Sequence, residues 1–276
     1  ELGLDPKIGQ RLTSKGRIFD ENMNTINTGE TIPTEYIYIA VFEGISRGLK
    51  PLIEFSDFAI FDKPTNLMVH PISKSTPYSL LDEIRFHFGE DANLIHRIDA
   101  ETSGLVIVGK NKKSEIALKD MFQEKKYHKS YLAIAQGHIK EEIRIDKGLD
   151  REGLVIGVRM KVCDDGKESV TIIKPIKYNK EKDLTLIEAL PLTGRQHQIR
   201  VHLHSIGHTI LGDPIYGVDD ENAENYLNKT LSLEDRFTVT KSSRLWLHAN
   251  YLEFTFNDIT YKIFSKNRDL YSEFLN

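Results

Sequence analysis

The 276-residue chain predicts an α+β fold built on a mixed, largely antiparallel sheet with flanking helices. Two observations carry that expectation. Seven strand-like segments outnumber three helix-like ones, and they do not alternate in the regular strand–helix–strand order of a parallel sheet. Near the C-terminus, residues 253–256 and 260–264 are separated by a short turn through Asn257 and Asp258, the pattern of an antiparallel hairpin. Hydrophobic residues make up 39% and charged residues 28%, which suits a globular protein with a sizeable core.

Taken in order, residues 1 to about 35 stand apart. Residues 8–12 could end a helix, and residues 16–24 suggest a short hairpin. Residues 36–54 read as a connector, so the expected division is residues 1–54 and 55–276. In the main body, residues 58–62 form an apolar run that breaks at Pro64 and read as a strand. Residues 79–88 and 112–126 are helix candidates. Between them, residues 105–110 are an unbroken apolar run, as expected of a buried strand. Residues 130–135 alternate large and small side chains before Gly137, and residues 170–178 and 184–190 are further strands. A helix is expected over 195–205, ended near Gly207, with Ile199, Leu203 and Ile206 on one face. Residues 245–256 and 259–264 complete the set.

Four segments stand out chemically. The most informative is His96-Arg-Ile-Asp-Ala-Glu-Thr-Ser-Gly104, where a carboxylate, Asp99, sits in a polar loop just before a buried strand. Such a loop holds a side chain firmly while leaving it open to a substrate. An isolated Arg-x-Asp is usually a surface ion pair of little consequence. The others are Lys63-Pro-Thr-Asn-Leu-Met-Val-His-Pro71, Lys129-Ser-Tyr-Leu-Ala-Ile-Ala-Gln-Gly137, and Leu192-Thr-Gly-Arg-Gln-His-Gln-Ile-Arg-Val-His-Leu-His204, the last continuing to Gly217. On strand propensity alone Tyr131 would be an ordinary strand residue.

Together and in this order, the four segments resemble the pseudouridine synthases of the RluA family, over roughly residues 55–265. Departures are mild. Ile98 and Gly109 stand where that family more often has Leu and Ala, and Asn66 replaces a Gly. Asn is the next best residue for a positive backbone angle. The resemblance implies a sheet with a central catalytic cleft and an RNA uridine isomerase. It marks Asp99 as the essential carboxylate, Tyr131 as the aromatic that stacks on the target base and takes part in proton handling, and Arg200 as the charge partner of Asp99. Arginine would stabilise the carboxylate and fix its orientation, and on this view Arg200→Met leaves the fold largely intact while removing activity. Arg97 is the expected wedge into the space left by a flipped uridine, with Lys110, Arg195 and His197 as further RNA contacts. The segment 1–54 weakly resembles the second half of a small ribosomal-protein-type RNA-binding domain.

The reaction gains no atoms, so no cofactor is expected. A metal is not expected either. Four histidines lie between His197 and His208, but Gly207 interrupts the helix and no His-Glu-x-x-His pattern is present. The formal net charge of −4 argues mildly against nucleic acid. Against it, Lys110, Lys112, Lys113, Lys119, Lys125, Lys126 and Lys129 follow the Asp99 loop, either as a basic edge for phosphates or as the solvated face of a helix. The expected partner is RNA, ribosomal or transfer, and the chain is expected to be a monomer. One cysteine, Cys163, excludes a disulfide framework. No apolar run approaches the length of a membrane span, roughly 20 residues, and no secretory signal is visible. A cytoplasmic enzyme working away from membranes is the expectation.

Overall fold

The computed structural model describes residues 6–31, 35–40, 44–72, 76–153 and 156–275. Residues 1–5, 32–34 and 41–43 of the expected N-terminal segment lie outside the described residues. The chain divides into two compact units at Gly44/Ile45.

In the first unit, helix α1 (Pro6–Ser14) precedes β1 (Ile18–Phe19), which pairs antiparallel with β2 (Tyr38–Ile39). Phe19 also bridges Thr25 across a tight turn in which the Asp20 carboxylate accepts from the backbone N–H groups of Asn22 and Asn24.

The second unit is organised by one sheet. Strand β3 (Ile53–Glu54) pairs antiparallel with β4 (Phe58–Lys63), so residues 45–54 belong to this unit. Helix α2 (Leu80–Phe88) starts at Ser79, whose backbone N–H donates to Asp82 in a reciprocal cap. Strands β5 (Asn93–Leu94) and β6 (Ser103–Gly109) follow, then helix α3 (Lys112–Gln123), capped by Asn111 accepting from the Ser114 N–H. Next come β7 (Tyr127–Gln136), β8 (Ile143–Asp146), β9 (Leu149–Arg151), β10 (Met160–Val162), β11 (Val170–Asn179), β12 (Leu184–Pro191) and helix α4 (Gln198–Ser205). Helices α5 (Asp220–Leu227) and α6 (Leu233–Thr240), strands β13 (Leu247–Phe256) and β14 (Ile259–Phe264), and helix α7 (Asp269–Leu275) close the chain.

Among the described residues the main sheet runs β3-β4-β6-β13-β7-β12-β11-β8, with β14 added to β13 and β5 to β6. All its ladders are antiparallel except β6 against β13. The α+β expectation holds, and so does the hairpin over 253–264. Asn257 and Asp258 both have positive φ, 49° and 60°, as a tight hairpin turn requires. Strand β6 is buried along its whole length, which explains its unbroken apolar run. Helix α4 packs Ile199 and Leu203 into a core cluster with Tyr131, Ala133 and Ile187, with Ile206 alongside. Helices α5 and α6 escape a reading based on apolar period, because few of their side chains are buried. Their capping residues, Asp219 and the Ser232/Asp235 pair, were the available signal. Among the described residues no helix is long and apolar enough to cross a membrane.

Two glycines permit close packing at the two ends of β6. Gly104 has φ +109°, and a Cβ there would lie 2.3 Å from the Ala249 carbonyl oxygen on β13. This is where the parallel pair forms, Ala249 opposite Gly104. Gly104→Ala is expected to cost roughly 3 kcal/mol from backbone strain plus overpacking, measured as a lowered midpoint in chemical denaturation. An unchanged midpoint would show that the strands can part there freely. Gly109 is similar: a Cβ would lie 2.8 Å from the Glu115 backbone nitrogen in the first turn of α3. That close approach accounts for glycine where the family more often has alanine.

Candidate active site

The Asp99 loop runs from β5 to β6, and buried polar side chains anchor it on both sides. Lys63, at the end of β4, is fully buried, and its ammonium donates to the carbonyls of Pro64, Leu67 and Ala100, each at 2.9 Å. Burial pulls this ammonium down to about 7, against the opposing pull of Asp99 and Glu101. Thr65 donates to the Glu101 carbonyl at 2.7 Å. Asn66 has φ 59°, as the substitution for glycine suggested. The Lys63-Pro-Thr-Asn segment therefore clips the turn of its own strand to the loop carrying Asp99.

Glu101 anchors the other side. Its carboxylate accepts two hydrogen bonds from Arg236 of α6, at 2.7 and 3.1 Å, and one from the Tyr226 hydroxyl of α5 at 2.7 Å. Both members of the Glu101–Arg236 pair are 5% exposed. This bidentate geometry is the strong form of a carboxylate–guanidinium contact.

Arg200 projects from α4 beside the face that carries Ile199 and Leu203, and it is buried. Its Nη1 donates to Asp99 Oδ2 at 3.1 Å, so the expected pair forms. Its principal partner, however, is Asp213: Nε donates to Oδ2 and Nη2 to Oδ1, both at 2.7 Å. Asp213 also accepts from the N–H groups of Ile215 and Tyr216. Burial alone would raise the Asp213 carboxyl, but Arg200 and these hydrogen bonds outweigh it and hold the group below its ordinary range. Burial likewise opposes the Arg200 guanidinium, and the two carboxylates hold its pKa above the usual value. With Nε and Nη2 committed to Asp213, Nη1 is aimed at Asp99, which remains 28% exposed at the cleft. In the sequence, Asp213-Pro214, with Tyr216-Gly217 after it, has only the composition of a turn. Its acidic residue gave no separate sign of burial.

Tyr131 lies on the central strand β7, 6% exposed, in the wall of the same cleft. Burial pushes its hydroxyl up, with the Asp99 charge adding to the shift, so it stays protonated at neutral pH. Arg97, Arg195 and His197 also line the cleft. Arg97 and Arg195 are exposed at its mouth, with Arg195 Nε donating to the Glu168 carbonyl. Gln198 positions this wall. Its amide donates to the Val170 carbonyl and Thr171, while its oxygen accepts from Thr193 and the Arg195 N–H. His197 enters α4 with a left-handed backbone (φ 55°) and bonds the Tyr216 hydroxyl at 3.0 Å. Burial pulls its imidazole down to about 4, with Arg200 adding to the effect. It meets the cleft neutral.

Lys110 does not join them. It follows β6 at the end opposite the Asp99 loop and pairs with Glu54 at 2.7 Å. The length of β6 separates it from that loop by roughly 20 Å, at about 3.3 Å per strand residue. Of the other lysines, Lys112 and Lys119 pair with Glu115, and Lys126 with Glu124. Only Lys129 reaches the cleft. The histidines after His197 are turned to separate partners: His202 to Thr171 and the Lys147 carbonyl, His204 to Thr209, His208 to the Gln136 carbonyl.

The profile of the RNA pseudouridylate synthase family matches residues 57–205, which include Asp99, Tyr131 and Arg200. Over 272 residues the chain is 42% identical to a Helicobacter pylori protein named "Uncharacterized RNA pseudouridine synthase", covering 98% of this chain and 88% of that one. It is 30% identical to the "Ribosomal large subunit pseudouridine synthase D" of Zymomonas mobilis, over 75% of this chain and 64% of that one. It is also 30% identical to the "tRNA pseudouridine(32) synthase, mitochondrial" of Saccharomyces cerevisiae, over 74% and 46% respectively. The solved structure titled "Human RNA Pseudouridylate Synthase Domain Containing 1" superposes with a TM-score of 0.65 at 24% identity, over 83% of this chain and 87% of that one, so the fold is shared. With the family profile covering the cleft and a relative matching nearly end to end, the chain belongs to the RNA pseudouridine synthases, a family of isomerases.

Proposed function

We propose that the protein converts specific uridines of structured RNA to pseudouridine in the cytoplasm, as a monomer and without a cofactor, and that large-subunit ribosomal RNA is its substrate. The observation that carries the reading is the aim of Arg200: doubly clamped on Asp213, it presents its remaining edge to a single partly exposed carboxylate in a cleft. Asp99 is the group that reacts at the sugar, by attack on it or by removing a proton from it. Arg200 keeps that carboxylate charged and oriented. Tyr131 is the platform on which uracil stacks, and Ile199 helps to exclude water. Extruding a stacked uridine costs a few kcal/mol. Arg97 at the cleft mouth is the side chain placed to fill the gap, and Arg195 to hold a phosphate.

The relative named for the large ribosomal subunit supports the choice of RNA. Mapping pseudouridines in total RNA from cells with and without the gene tests it. A site lost from large-subunit RNA is expected. A site lost only from transfer RNA would replace the substrate and keep the chemistry.

Tyr131 gives a separate test. In a chelator, with no small molecule added, the wild-type protein is expected to be fully active, because the reaction is an isomerisation within one nucleotide. Under the same conditions Tyr131→Phe keeps the ring and loses the hydroxyl. Single-turnover product formation is expected to fall by about 10²-fold or more, the scale of a lost proton-handling group, with RNA affinity nearly unchanged. Tyr131→Ala is expected to fail as well. A fully active Ala variant would remove Tyr131 from the site.

A further inference from the structure

The inner wall of the cleft holds one cation with no anionic partner among the described residues. Arg200 is neutralised by Asp213 and Asp99, and Lys63 is capped by three carbonyls. The Lys129 ammonium makes no hydrogen bond or ion pair with any described residue. Its ammonium lies near two aromatic rings, 5.5 Å from the centre of Tyr127 and 5.8 Å from that of Tyr131. It also faces the backbone of the loop before α4, since a Cβ on Gly194 would stand 3.9 Å from Lys129 Nζ. Lys129 and Tyr131 are two apart on β7, so they share one face of the sheet. A base stacked on Tyr131 would therefore lie beside this ammonium.

An unpaired, partly desolvated ammonium costs stability unless something pairs with it. The reaction supplies a partner. When the C1′–N1 bond breaks, the electron pair stays with uracil and spreads over N1, O2 and O4. The base is an anion until C5 bonds to C1′; the C5 proton is then lost and N1 takes up a proton, so no atom is gained. This holds whether Asp99 attacks the sugar or removes its proton. Resting on the reading of the site given above, we infer that Lys129 is a further catalytic residue that donates a charge-assisted hydrogen bond to a uracil carbonyl oxygen and stabilises the departing base. The ammonium keeps its proton throughout, so the step stays balanced. Because the charge develops only as the bond breaks, the contact is stronger in the transition state than in the bound substrate, which is the condition for accelerating the reaction.

The surroundings favour this use over a grip on the backbone. Exposed Arg97 and Arg195 already stand at the mouth, where phosphates would pass, whereas Lys129 sits on the inner wall against the stacking ring. The other ionisable groups around it are Asp99, held by Arg200; His96 and His197, pulled down to about 3 and 4; and Tyr127 and Tyr131, pushed up. Neither the two imidazoles nor the two hydroxyls titrate near neutrality. Lys129 does, because burial lowers its ammonium from 10.5 to about 8.

Lys129→Met and Lys129→Arg test the assignment in single-turnover assays with saturating protein. Lys129→Met is expected to lower the rate constant about 10²-fold, the scale of a lost oxyanion donor, while the Kd for RNA changes less than about threefold. Lys129→Arg should recover most of the rate. The wild-type rate should fall as pH rises through 8, a limb missing from Lys129→Arg; loss of the uracil N3 proton would affect both equally. Folding of the Met variant is read directly. It should melt higher than wild type at pH 7, and the gap should close between pH 8 and 10.5 as the wild-type ammonium loses its proton. A weakened Kd with an unchanged rate constant would make Lys129 a backbone contact and overturn the proposal, as would wild-type kinetics in the Met variant. If the wild-type protein forms no pseudouridine while binding RNA, the reading of the whole site fails, and Lys129 with it.

Discussion

Asp99→Asn is expected to abolish pseudouridine formation, by about 10³-fold or more, while RNA binding stays near wild type. The change keeps the size of the side chain and removes the charge that must attack or abstract. The loop should not move, because its anchors are elsewhere: Lys63 on the Ala100 carbonyl, Thr65 on the Glu101 carbonyl, and Arg236 on the Glu101 carboxylate. The melting temperature is therefore expected to change little. Quantifying pseudouridine in a substrate RNA, beside a binding isotherm, gives both answers from one preparation. Turnover like that of wild type in the Asn variant would remove Asp99 from the chemistry.

Arg200→Met is expected to lose activity and also much of the stability. The sequence alone suggested a variant with its fold largely intact. The structure reverses that expectation, because Asp213, with its side chain fully buried, would be left with no charge partner. Breaking a buried pair on one side costs about 3–5 kcal/mol, a large part of the roughly 5–15 kcal/mol that holds a typical domain together. The pH dependence identifies the cause. In the wild type the Asp213 pKa is lowered, so its contribution is present above the ordinary 3.8 and lost as acid protonates it in the folded state. Without Arg200, burial raises the carboxyl instead. The variant's deficit should then shrink as pH falls from 7 toward 4, because a protonated Asp213 no longer needs a partner. Adding Asp213→Asn should recover stability at pH 7 and leave activity lost. Arg200→Lys should recover both only in part, since an ammonium cannot span two oxygens of Asp213 and also reach Asp99. A deficit independent of pH would place the damage somewhere other than Asp213.

Much of this protein could be read in local patterns. Strand β6 is an unbroken apolar run because it is buried on both faces. The final hairpin follows from Asn257 and Asp258, which tolerate positive φ. The face of α4 that meets the core follows from the spacing of Ile199 and Leu203. Asp99, Tyr131 and Arg200 were visible for a different reason, since each lies in a short segment that resembles the family. What lay outside the sequence's reach depends on partners distant along the chain. Nothing near Glu101 announces Arg236, far along the chain on α6, and nothing near Arg200 distinguishes Asp213 from a surface turn. The lysines illustrate the same limit. Seven follow the Asp99 loop in sequence, but a strand carries the chain about 3.3 Å per residue, so Lys110 ends at the far edge beside Glu54. Helix geometry gives Lys112 and Lys119 to Glu115. Lys129 alone returns to the cleft, because β7 runs back between β13 and β12 toward the loop that β6 left. Local sequence determined the elements, through periodicity and turn chemistry, and the resemblance of four short segments to the family singled out the candidate groups. Tertiary structure decided which charges are buried and paired, because that depends on which strands and helices the fold brings together.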